Sequence, residues 1–60
     1  MYIVKVVPKS PSQPFMFVDP SSQLTARRKD SRQWSRRDDA QSVAIMWALK
    51  NQGSVEVERA

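Results

Sequence analysis

Six of the chain's ten basic side chains fall within residues 27–37, which read RRKDSRQWSRR. Arg27, Arg28, Lys29, Arg32, Arg36 and Arg37 face one acid there, Asp30, while the rest of the chain holds four basic and five acidic groups. The net charge of +4 therefore belongs to this window. A concentrated basic segment is a place where an anionic partner can dock. Arginine suits carboxylate and phosphate because its planar fork donates paired hydrogen bonds. Trp34 lies among these cations, and an indole face can stack on a nucleobase or on a guanidinium. Three readings follow: a solvated surface, a contact with an acidic protein, or a contact with nucleic-acid phosphates. No helix-turn-helix, zinc-finger or RNA-recognition motif accompanies the segment. Trp34 also has a plain structural reading, as a hydrophobic staple packed on the first turn of the helix that follows.

Catalytic chemistry finds little support. Histidine and cysteine are both absent, which removes the usual general base, thiolate nucleophiles, disulfides and the commonest metal ligands. The single glycine excludes a glycine-rich phosphate loop. The eight serines sit in turn and cap contexts. Asp38 and Asp39 are adjacent in a helical segment, so their side chains diverge rather than form an acid–base pair. The expectation is a protein that is not an enzyme, with no cofactor, no metal and no small-molecule substrate.

The elements that must position these residues are few. Sixty residues make one domain at most, with marginal stability and self-association or docking as the available reinforcement. Residues 2–7, YIVKVV, form a β-branched strand that Pro8 ends. PKSPSQP reads as an exposed loop, and FMFV at 15–18 as a second strand paired antiparallel with the first. Asp19, Pro20, Ser21 and Ser22 make a turn. Leu24, Thr25 and Ala26 could begin a third strand over 23–27, which the arginine run would continue. Ser35 with Asp38 approximates a capping box, Asp38 and Asp39 suit the helix dipole, and Gly53 suits a C-terminal cap. A helix is expected over 36–51 and a last strand over 54–58, with Val55 and Val57 buried and Glu56 and Glu58 facing water. The result is a small α+β domain: a mainly antiparallel sheet of three to four strands packed against one α-helix, in ββ(β)αβ order. The opening MYIVKVV is too short for a signal peptide, and no stretch reaches the ~20 apolar residues of a membrane span. The expectation is a complete, soluble, cytoplasmic protein.

That helix carries more apolar surface than one sheet can cover. Ala40, Val43, Ala44 and Trp47 share the stripe natural for the sheet. Ile45 and Leu49 fall nearly opposite, and Met46 and Ala48 lie on the flanks, so residues 43–49 are apolar all round. Either the proline-rich loop or residues 27–34 fold over Ile45 and Leu49, or this second face is an interface, to another copy or to another protein.

The stretch DSRQWSRRDDAQSVAIMWAL resembles a pattern found in short phage and prophage proteins. There a small residue, an aromatic and a Ser/Thr-capped acidic turn lead into an alanine-rich helix, here Ser31, Trp34, Ser35, Asp38 and Ala40. The arginine-rich loop departs from that pattern. The resemblance implies a protein that binds and inhibits or redirects a larger host protein. In that reading Ile45, Met46, Leu49 and Trp34 meet the partner, and the basic segment steers toward its acidic surface. The alternative is a nucleic-acid-binding protein, dimeric, using the six basic residues on phosphates. A third is a structural homodimer whose charge serves solubility.

Overall fold

β-Branched residues fill Tyr2–Val7, and they form β1, the strand on which the sheet is built. The computed structural model describes residues 1–10, 12–50 and 54–60. β2 is Met16–Val18, β3 is Leu24–Thr25, α1 is Arg37–Lys50 and β4 is Ser54–Arg59, with a 3₁₀ turn at Arg28–Asp30. The strands form one antiparallel sheet in the order β3-β2-β1-β4, and the helix packs on β1 and β4. The chain is thus a small α+β fold, as the patterning predicts. Tyr2 pairs with Arg59 at one end of the β1–β4 ladder and Val7 with Ser54 at the other.

Strand alternation sorts the sheet into two faces. Val4, Val6 and Val18 are buried against α1 together with Trp34, Ala40 and Ala44. Ala40 and Ala44 let the helix backbone lie close, and Val43 and Trp47 pack beside them, so the expected inner stripe is the observed one. The opposite face holds Ile3 and Phe17, also buried. Asp19 shapes the β2–β3 turn: its Oδ1 accepts the backbone N–H groups of Ser21 and Gln23, each at 2.9 Å. This turn holds Ser22 at a φ of 62°, in the left-handed region.

Four local expectations change. The arginine run does not continue β3, which stops at Thr25, and Arg28–Asp30 coil into the 3₁₀ turn. Phe15 lies outside β2 and is exposed, with the Lys5 ammonium 4.0 Å from its ring centre. The carbonyl of Arg36 accepts the first helical hydrogen bond, from the Ala40 N–H at 3.3 Å, so the helix begins one residue later than a Ser35 cap requires. β4 runs one residue past its expected end, through Arg59. The Gly53 cap and the helix end at Asn51 lie outside the described residues.

Trp34 is a core residue, 7% exposed. Its N–H donates to the Tyr2 carbonyl at 2.8 Å, and the Tyr2 N–H donates to its carbonyl at 2.7 Å. This exchange occupies the side of β1 that β2 leaves unpaired, and it aims the indole under the helix. Trp34→Ala removes a buried indole at a cost of about 3–5 kcal/mol. A sixty-residue domain has only about 3–9 kcal/mol in total. The expected outcome is a far-UV circular dichroism spectrum without its native form at 25 °C; a native spectrum with a small shift in midpoint would contradict the central place given to Trp34.

Candidate functional site

The basic window is split by the fold rather than presented as one strip. Residues 31–34 are tied to the sheet: the Arg32 N–H donates to the Val18 carbonyl at 2.8 Å, and Trp34 bonds to Tyr2 as described. Ser31 is buried, its Oγ donating to the Arg28 carbonyl at 2.6 Å. Two of the predicted site residues are consumed by structure. Trp34 is buried in the core and does not offer its face to a partner; its ring is covered by the Arg32 guanidinium, 5.1 Å from the ring centre. Arg28 is committed within the domain, its Nη1 2.8 Å from Glu58 Oε2 and its Nη2 2.8 Å from the Arg59 carbonyl.

Glu58 does not face water as expected. One carboxylate oxygen takes Arg28, and the other takes Lys5 Nζ at 3.1 Å. Lys5 is the lysine of the inner strand β1, only 17% exposed along its side chain, and Glu56, its register partner on β4, stands 3.9 Å away. The hydrogen bond from Lys5, and then that from Arg28, hold the Glu58 carboxyl below its usual pKa. This cluster links the first strand, the 3₁₀ turn and the last strand on the face away from α1.

Arg27, Lys29, Arg32, Arg36 and Arg37 remain exposed, with no carboxylate partner among the described residues. One further cation, Arg59, joins Arg37 at the end of the sheet, where the two line a hollow with Tyr2 and Val57. Sequence reading misses Arg59 because it stands far from the basic window; the β1–β4 register, which sets it opposite Tyr2, is what brings it in.

The second candidate surface is the outer face of α1. Ile45 is 55% exposed, Met46 59% and Leu49 85%. Neither residues 27–34 nor the described part of the proline-rich loop covers them: the first dock against the sheet. The second lines a hollow of about 590 Å³ beside Val7 and Phe15. Three spaced apolar side chains therefore occupy the last turns of a helix whose first turn carries Asp38 and Asp39 and whose end carries Lys50. Among the described residues no three acidic groups gather where a metal could be held, and no helix is long and apolar enough to cross a membrane. Compared with protein families, curated proteins and solved structures, the chain shows no match to any of them.

The lowered pKa of Glu58 has a defined pH signature. Its contribution to stability is fully present above the ordinary glutamate pKa of about 4.3 and is lost as the pH falls through its depressed value in the folded protein. Glu58→Gln should melt below the wild type at pH 7, and the two midpoints should converge under acid conditions. Midpoints that differ equally at pH 7 and at pH 3 would show that the carboxylate charge contributes nothing.

Proposed function

We propose that this chain is a non-enzymatic protein-binding module that docks on a larger protein through Ile45, Met46 and Leu49. The observation that carries the reading is the exposure of these three side chains on one stretch of α1. Burying each is worth about 1.5–3 kcal/mol. Met46 and Leu49 stand at i and i+3, and Ile45 and Leu49 at i and i+4, two of the spacings by which an amphipathic helix lies in an apolar groove. The charge pattern argues for the kind of partner. A second copy would bring +4 against +4, whereas a groove edged by carboxylates answers the unpaired Arg36 and Arg37 at the start of the same helix. The resemblance to phage proteins supplies the class of target, a host protein whose action is inhibited or redirected.

Nucleic acid is the second reading, favoured by the exposed, unpaired cations of the 27–37 segment. It loses one support, because Trp34 is buried and has no face for a base. What remains is phosphate contact alone, which carries a steep salt dependence.

Two experiments separate these readings. A photo-crosslinking residue replacing the exposed Ser42 should yield, in cells that make the protein, an adduct heavier than two copies of the 6.9 kDa chain. Ile45→Asp with Leu49→Asp should abolish that adduct while keeping the native circular dichroism spectrum. Unfolding of the double variant, or adducts between copies only, would defeat the proposal. For the second reading, duplex DNA binding at low salt should fall steeply with added salt and vanish when Arg27, Lys29, Arg32, Arg36 and Arg37 are neutralised, Arg28 being left to hold Glu58; absence of binding at low salt removes it.

A further inference from the structure

Three parts of the chain that are distant in sequence meet where β1 begins, β4 ends and α1 starts. Tyr2 and Arg59 are register partners across the β1–β4 ladder, so their side chains stand side by side on one face of the sheet. Val57, two residues earlier on β4, shares that face. Arg37 is the first residue of α1. The four side chains line a hollow of about 290 Å³.

We propose that this hollow binds a single phosphate group in its dianionic, monoester form. Both guanidiniums are exposed, and neither has a carboxylate partner among the described residues, although the chain contains six acids. Two like charges at one hollow repel each other, and a dianion between them removes that repulsion. A phosphate monoester carries about −1.5 to −2 at neutral pH and three acceptor oxygens. Two arginines and a tyrosine line this one hollow, and their guanidinium and phenol groups together carry more donors than a planar carboxylate can accept, which suits an oxyanion with three free oxygens. The volume accommodates the phosphate and the first atoms of its ester group.

The backbone that carries two of these walls is set before any ligand arrives. Tyr2 is held by its backbone exchange with Trp34. Arg59 is held by the β1 ladder and by its carbonyl, which accepts from Arg28, itself anchored on Glu58. The next residue, Ala60, donates its N–H to the Met1 carbonyl at 2.9 Å. Ile45 and Leu49 lie two turns and more along the helix from Arg37, so the apolar contacts of the helix face and this hollow are tested by separate substitutions.

Nuclear magnetic resonance of the labelled protein tests the proposal at constant ionic strength, reading the arginine Nε–H signals and the Tyr2 ring. Inorganic phosphate and phenyl phosphate, at pH 7.5 and balanced with chloride, should shift Arg37, Arg59 and Tyr2 saturably and leave the other arginines in place. Arg37→Gln with Arg59→Gln should weaken binding by about tenfold or more, as expected for loss of two charge-assisted contacts. Arg27→Gln with Lys29→Gln should not change it. Linear shifts spread over all arginines would overturn the site, as would unchanged binding in the Arg37/Arg59 variant. The wild-type titration decides by itself if that variant fails to fold. A short single-stranded DNA without terminal phosphates, which offers only diesters, forms the last arm. Stronger shifts of Arg37 and Arg59 with that strand than with phenyl phosphate would assign the hollow to a nucleic-acid backbone and overturn the monoester proposal.

Discussion

The pair of backbone hydrogen bonds between Tyr2 and Trp34 holds this domain in its arrangement. β2 leaves β1 after a short ladder, and without another partner the first residues of β1 would keep unpaired polar groups beside a buried core. Residues 31–34 fill that place. By doing so they deliver a large indole to the space between sheet and helix, which small residues of α1 alone would leave empty. The same segment leads directly into Arg36 and Arg37, so the position of the helix start follows from where Trp34 is pinned.

The opposite face of the sheet is held by charge as well as by Ile3 and Phe17. A lysine on an inner strand is an expensive choice unless its ammonium is matched. Here Glu58 and Glu56 match it, and Phe15 lies under it. Glu58 then serves two cations from separate parts of the chain, one oxygen each. Exposed ion pairs contribute little singly, but this one is shared, partly shielded and placed between the first strand, the last strand and the 3₁₀ turn. It converts the loop of residues 26–33 from a tether into a cover for the sheet.

The elements legible in the sequence are those whose signal is local. Valine and isoleucine in close succession mark β1, alternation of Val55 and Val57 with glutamates marks β4, and the acidic first turn marks α1. The excess of apolar residues on α1 is legible too, because helical periodicity alone places Ile45 and Leu49 opposite Ala40 and Ala44. What stays hidden is set by pairing at long range. Nothing in RRKDSRQW announces that Trp34 will exchange hydrogen bonds with Tyr2, since a backbone bond leaves no side-chain signature. Glu58 looks like a solvent-facing residue until Lys5 and Arg28 arrive from elsewhere in the fold. Arg59 joins Arg37 only through the ladder between the first and last strands. The window that reads as a single basic surface thus divides into a structural part, Arg28 with Arg32, and a part left unpaired.

The long ladder of β1 is made with β4, more than forty residues downstream. This has a consequence in time rather than in space. Closing so large a loop costs chain entropy before any of its contacts form, and domains dominated by such distant pairings assemble slowly. On a ribosome, β1 emerges before β4 and waits, its valines accessible, until synthesis has passed residue 59. During that interval it is open to any other extended segment nearby. Lys5, set amid those valines, gives the waiting strand a charge that discourages premature association.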